Sequence, residues 1–327
     1  MVEKKVRSAP ARFFYGLRYR IGEYVLRGFI KVLPLIPDRL TLAFARLMAH
    51  LSFALLWRFR RRMEENVTAV LSREFPRATE RKDLVWHAWL NFGRGVLDTA
   101  EVMHASRARI VSMVALEGEE HIRQALEKGR GVIALSAHLG GFTLIGPRLA
   151  AAGFPFSVVV KQPGDRRFAE LLDRYRAQIG VHTISAKPRR EAVRGLLKAL
   201  RDNRIVMVIA DEFKSGDVMV DFLGLKLPAP RGPATMALRT GAITLPMFAI
   251  RRPDGALTLS VGAPIAPVER ADLEESVLAT TALYTRHLEA AIRKYPDQWN
   301  WLGLPRPGTR PARSEIARTK KKLAAKN

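Results

Sequence analysis

The chain contains no cysteine. Without thiols it holds no disulfide framework and no thiolate-ligated zinc or iron–sulfur site, whatever its compartment. Histidine is sparse as well, with seven residues scattered along the sequence. None falls in an H-E-x-x-H zinc helix, and neither a G-x-x-x-x-G-K-[ST] phosphate loop nor a G-x-S-x-G nucleophile elbow is present. No metal site and no resident cofactor are expected. Long apolar runs are also lacking: the longest, LTLAFARLMAHLSFALLW over residues 40–57, is broken by Arg46, His50 and Ser52. Such a run barely reaches the length of a spanning helix. Arg46 near its middle would cost about 2.5 to 3.5 kcal/mol on insertion scales. An interfacial or partly inserted helix is the better expectation, with core-facing helices whose basic residues are merely solvated as the alternative.

Acidic residues are the remaining deficit, 31 against 55 Lys and Arg, for a formal charge of +24. Most of the excess sits at the ends. Residues 1–62 hold 14 Lys and Arg against three acids, and residues 306–327 hold eight against one. A distribution of this kind suits anionic lipid, nucleic acid or an acidic protein. Nucleic acid is set aside because the sequence offers no reader motif and no aromatic stacking platform. Trp57, Arg58, Phe59, Arg60, Arg61 and Arg62 suit a headgroup layer on the cytoplasmic side of a membrane. No small-residue cleavage site follows a charged start and apolar core, so the rest of the chain is expected to stay on that side.

What is present in quantity is apolar residue, 48%, enough for a large core in one large domain or two ordinary ones. From about residue 111 short β-rich runs alternate with helical ones. Residues 111–117, 131–138, 156–161, 181–186 and 204–211 read as strands, and the segments between them as helices closed by Gly or Asn. That alternation predicts an α/β fold with a mainly parallel central sheet flanked by helices. Residues 243–252 and 256–262, joined by Pro253-Asp254-Gly255, predict an antiparallel pair. A long helix is expected over 271–295. The organisation read from the sequence is a basic, aromatic membrane-associating segment 1–62, a helical lead-in 63–110, an α/β domain 111–305 and a basic tail 306–327 without fixed structure.

In open α/β sheets the reactive groups gather beyond the carboxyl ends of the strands. His138 ends one strand, followed by Gly140 and Gly141, which let the backbone turn sharply. It is either a general base toward an alcohol or a structural histidine. Asp211 ends another strand, as a carboxylate on the same edge or as a cap of loop amides. Lys161 ends a third, facing an anion or simply exposed. Arg231 precedes a helix over residues 233–241 whose first N–H groups are able to hold an anion.

The order of segments resembles the bacterial lipid A late acyltransferases, the lauroyl and myristoyl transferases of the lysophospholipid acyltransferase superfamily. The resemblance runs over roughly residues 12 to 307. It rests on RRMEENVTAVLSREFP (61–76), LNFGRGVLDTAEVM (90–103), GRGVIALSAHLGGF (129–142), VDFLGLKLPAPRGPATMALRTGAITLP (220–246) and YPDQWNW (295–301). It implies transfer of a fatty acyl chain from acyl carrier protein, or acyl-CoA, to a hydroxyl of a glycolipid or phospholipid at the inner membrane. In the family's His-x-x-x-x-Glu/Asp motif the base falls on His138, but the carboxylate falls on Thr143. Asp211 then becomes the candidate substitute acid, and Lys161 stands where relatives commonly carry Arg. Gly140, Gly141 and Arg231 are the remaining candidate substrate contacts. The run after 301 continues as LGLP where relatives tend to place His and Arg. Three readings stay open: an acyltransferase with a rearranged base, one serving another acceptor, or a lipid-binding relative without catalysis.

Overall fold

Five parallel strands form the middle of the protein. The computed structural model describes residues 38–305 apart from 104, 214 and 215, together with 19–24, 28, 32 and 36. Residues 1–18 and the basic tail 306–327 lie outside the described residues, as do the expectations placed on them. The central sheet has seven strands in the order β1-β9-β8-β2-β5-β3-β4. They are β1 (Val114–Glu117), β2 (Val132–Ser136), β3 (Phe156–Val160), β4 (Val181–Ser185), β5 (Ile205–Ile209), β8 (Ile243–Arg251) and β9 (Leu257–Val261). β8, β2, β5, β3 and β4 are mutually parallel, β9 is antiparallel to β8, and β1 is parallel to β9. The predicted parallel sheet and the antiparallel pair across Pro253-Asp254-Gly255 are both present.

Each crossover is helical because its apolar residues repeat at helical spacing: α5 (Glu119–Glu127), α6 (Ile145–Ala151), α7 (Arg166–Gln178) and α8 (Arg189–Arg201). β2 is buried at every position, as expected of a central parallel strand covered on both faces. Ile133 and Leu135 point into one apolar cluster, and Val132 and Ala134 into the other. Residues 111–117 are not one strand. Ser106 caps α4 (Arg107–Met113), accepting the Arg109 N–H at 3.2 Å, and Ile110 turns into the core. Only Val114–Glu117 pairs with β9, over the register Val114↔Leu257 to Glu117↔Ser260. The sequence reading also missed a separate hairpin, β6 (Val218–Phe222) and β7 (Leu225–Ala229). It is followed by α9 (Gly232–Thr240) and by α10 (Leu273–Lys294), the long helix expected near the end.

Three helices precede the sheet: α1 (Asp38–Leu55), α2 (Trp57–Leu71) and α3 (Ala78–Val102). Positions 62 and 63 both fall inside α2, so no structural break separates the basic segment from the lead-in. Met63, Val67 and Leu71 of α2, with Leu84, Val85 and Ala88 of α3, share the apolar cluster that holds Ile133 and Leu135. α1 packs on α3 through a narrow stripe. Ala45 and Ala49 are buried, Phe53 meets Trp86 and Trp89 edge-on, and the Trp89 indole donates to Ser52 Oγ at 2.9 Å. Its other side leaves Phe44, Leu47, Met48, Leu51 and Leu55 exposed, at the spacing of one helix face. Among the described residues no helix is long and apolar enough to cross a membrane.

Leu135 is fully buried at the centre of the sheet. Leu135→Ala is expected to destabilise the protein by about 2 to 5 kcal/mol, read as a lower midpoint of urea unfolding. An unchanged midpoint would show that this strand does not carry the core.

Candidate active site

The register of β2 and β5 brings the first two site residues together. Ser136 pairs with Ile209 at the ends of the two strands. The Ala210 N–H then bonds the Ser136 carbonyl at 3.0 Å. Two residues further on each chain, His138 and Asp211 stand side by side. Asp211 Oδ1 lies 2.8 Å from His138 Nδ1, and Oδ2 accepts the backbone N–H of His138 at 2.8 Å. A third donor arrives from far along the chain, the Trp299 indole N–H, at 2.8 Å from Oδ2.

A carboxylate that is 2% exposed loses several kcal/mol of hydration on burial, and needs hydrogen bonds to recover it. Hydrogen bonds to charged groups contribute about 1.5 to 3 kcal/mol each. Three donors of three different kinds are therefore of the right size to offset that loss. An ionised carboxylate only accepts, so Nδ1 of His138 carries the proton and Nε2 holds the lone pair. The imidazole keeps 38% of its side-chain surface exposed, and Phe142 meets it edge-on with ring centroids 5.0 Å apart. The result is a histidine whose tautomer and orientation are fixed from below by a buried acid, with over a third of its side chain exposed. Such a pair takes a proton from a hydroxyl. The new imidazolium is then stabilised by a negative charge already in place.

The C-terminal segment holds this arrangement from the side. Residues 298–300 run antiparallel to the His138 loop: Gly140 N–H donates to Gln298 O at 2.9 Å and Asn300 N–H to His138 O at 3.1 Å. α2 clamps the segment in turn. Asn66 Nδ2 donates to Trp301 O at 2.7 Å, and Arg62 donates to the carbonyls of Leu302 and Leu304 at 3.2 and 2.9 Å. Trp299 and Trp301 are buried and packed edge to face, 4.8 Å apart.

The other expected contacts are placed differently. Thr143 is exposed on a 3₁₀ turn, Phe142–Leu144, that opens the helix after His138. Its hydroxyl lies 2.6 Å from that of Thr99 on α3. Thr99 spends its own hydrogen on the Gly95 carbonyl, so Thr143 is the donor in this pair. The acid at the imidazole is Asp211, and Thr143 is tied to α3. Gly140 and Gly141, expected as substrate contacts, have their backbone donors tied into the framework. Their N–H groups are spent on Gln298 O and Ala249 O, at 2.9 and 2.7 Å. Gly140 has φ +58°, and a Cβ there would stand 2.2 Å from Ala249 O. Arg231 is likewise no waiting anion site. Glu274 binds its guanidinium with two oxygens, one at 2.9 Å, and Asp217 lies 3.7 Å away. The hydrogen bond to Glu274 raises the Arg231 pKa further. An incoming anion would meet two carboxylates. Lys161 is exposed just beyond β3, on the same sheet edge as His138 but two strands away, about 10 Å at the backbone. Among the described residues no three His, Asp or Glu side chains stand together as a metal site would require. Trp299 was missed by sequence reasoning. Its signals were the aromatic residues of PDQWNW and the place of that segment in the family resemblance.

Comparison with known proteins supports the reading of the segments. The chain is 26% identical over 246 residues to the phosphatidylinositol mannoside acyltransferase of Mycolicibacterium smegmatis, covering 73% of this chain and 77% of that one. It is 25% identical over 251 residues to the lipid A biosynthesis lauroyltransferase of Escherichia coli, covering 75% and 79%. A shorter match, 28% over 157 residues, joins it to the phosphatidylinositol mannoside acyltransferase of Mycobacterium tuberculosis. Residues 11–304 match the family described as bacterial lipid A biosynthesis acyltransferase. With residues 11–304 matched, nearly the whole chain, this protein belongs to the bacterial lipid A biosynthesis acyltransferase family.

Proposed function

We propose that the protein transfers a fatty acyl chain from an acyl carrier protein thioester, or acyl-CoA, to a hydroxyl of a glycolipid at the cytoplasmic face of the bacterial inner membrane. The observation that carries this reading is the His138–Asp211 pair, 2.8 Å apart with the acid buried. The acceptor hydroxyl gives its proton to His138 Nε2 while its oxygen attacks the thioester carbonyl. The C–O bond forms, and the carbonyl π pair becomes an oxyanion. Collapse of the intermediate breaks the C–S bond, and the departing thiolate takes the proton back from His138. Asp211 acts through the imidazole and gains most when the ring is charged, so its contribution falls in the transition state. With the N–H groups of Gly140 and Gly141 already bonded, Lys161 is the remaining candidate of those named from the sequence for facing the oxyanion or an acidic headgroup. The relatives are named for two different glycolipids, which favours a glycolipid acceptor and leaves its identity to experiment.

Membrane attachment is assigned to α1 and the start of α2. The exposed face of Phe44, Leu47, Met48, Leu51 and Leu55 continues into exposed Leu56, Trp57 and Phe59, beside Arg58 and Arg61. An apolar stripe edged by cations suits an interfacial helix on an anionic bilayer. The same positive charge suits an acidic carrier protein as donor.

Three measurements test the reading. In a membrane-fraction assay with radiolabelled acyl thioesters and total lipid acceptors, His138→Ala is expected to abolish product in a protein that still folds. Unchanged turnover would end the hypothesis. Asp211→Asn is expected to lower the rate by roughly 10⁴, whereas Thr143→Val costs less than about tenfold. Equal losses at the two positions would return the acid's role to the Thr143 turn. The paired change Phe44→Glu and Leu51→Glu is expected to weaken binding to phosphatidylglycerol-containing vesicles at least tenfold, since each apolar side chain contributes about 1.5 to 3 kcal/mol on burial. Vesicle binding equal to wild type would remove α1 from the membrane.

A further inference from the structure

The Asp211 carboxylate must be aimed as well as buried. The last torsion of an aspartate side chain is broad and two-fold, so the backbone beyond β5 fixes where the carboxylate sits but not which way its oxygens point. The donors decide that. Oδ2 takes two of them, the main-chain N–H of His138 and the Trp299 indole N–H, each at 2.8 Å, and Oδ1 is left to the imidazole. With the main-chain N–H alone, the carboxylate plane is free to turn about its contact at Oδ2. A second donor on the same oxygen, from a different segment, stops that turn.

The indole itself is held in direction. Trp299 is 1% exposed, and two rings meet it edge to face, Trp301 at 4.8 Å and Phe222 at 5.8 Å. Phe222 belongs to β6 and is backed in turn by Phe213 at 4.4 Å. Trp301 is anchored by its own N–H, which donates to the Pro296 carbonyl at 2.8 Å, and its carbonyl takes the Asn66 amide. The main chain of Trp299 pairs with Leu139, next to His138. A tryptophan that only filled the core would be served by any carbonyl for its N–H, as Trp301 is. Trp299 spends its N–H on the acid beside His138.

We infer that Trp299 is a positioning residue of the reaction: its indole N–H, steered by Phe222 and Trp301, locks the carboxylate plane of Asp211 so that Oδ1 stays on Nδ1 of His138. The rate consequence rests on the acyl-transfer reading, whereas the geometry does not. A misaligned Oδ1 fails most when the ring is charged, so the loss falls on kcat rather than on substrate binding.

The test uses the full chain in detergent micelles with two changes at one position. Trp299→Phe removes the donor and part of the ring. The thianaphthene analogue of tryptophan, installed at residue 299, puts sulfur in place of the N–H and keeps the shape, so it serves if Trp299→Phe does not fold. In the acyl-transfer assay both are expected to lower kcat about tenfold to a hundredfold, the loss of one hydrogen bond to a charged group, with KM within about twofold of wild type. Wild-type kcat in the analogue would overturn the inference, and so would a KM that rises as far as kcat falls. The second readout needs no turnover. Nuclear magnetic resonance of protein carrying isotope-labelled histidine follows the Nδ1 proton of His138, assigned by its loss in His138→Ala. It is expected to be protected in wild type and to exchange with solvent at least about tenfold faster in both variants. An unprotected proton in wild type, or an unchanged rate in the analogue, would overturn the inference. If no lipid is acylated by wild type, the acyl-transfer reading fails while this proton still decides the role of Trp299.

Discussion

One buried negative charge organises the protein. Asp211 is out of water just beyond β5, and its three donors come from two places: the backbone and ring of residue 138 after β2, and the indole of residue 299 near the end of the described chain. Removing any of them would leave a lone pair of a buried carboxylate without a partner. That constraint requires β2 beside β5. It requires the residues after α10 to return to the sheet edge, and something to hold them there. α2 does the holding, through Arg62 and Asn66. A helix that reads in sequence as the end of a membrane-associating segment and the start of a helical lead-in thus supports the site.

The same geometry divides labour between two surfaces. One side of α1 is used on α3 and so connects to the core, and the other is left apolar and exposed. The imidazole is held from within by the acid and keeps part of its surface exposed. The acid-held imidazole and the apolar face of α1 are thus both fixed to the α3 framework. The tie between Thr143 and Thr99 joins the His138 turn directly to α3.

Much of the fold was legible because its signals are local. Periodicity of two or 3.6 residues located β2 to β5, β8, β9 and the helices between them, and parallel pairing followed from their alternation. What escaped depended on distant partners. The hairpin β6–β7 turns through Leu223 and Gly224, both with positive φ, without an Asn-Gly or Asp-Gly signal, and Pro228 sits inside its second strand. Residues 111–113 have strand-forming side chains but are claimed by the Ser106 cap. At the site, His138 and Asp211 were visible as strand ends, but the neighbourhood of β2 and β5 was not. It is set by crossover topology across 73 residues of sequence. The pairing of Arg231 was not visible because nothing local announces Glu274 as its partner. Trp299 was overlooked because an indole has no chemistry of its own to suggest that it would hold an acid in place.

The return of the C-terminal segment to the His138 loop also sets an order in time. A ribosome emits β2 and β5 early, yet the indole that completes the shell around Asp211 follows about ninety residues after the acid itself. A nascent chain with every sheet strand formed still has a carboxylate one donor short, and α2 has no segment to clamp. The base and its acid are thus assembled last although both are made early. The pair gains its full support only when the chain has passed Trp299.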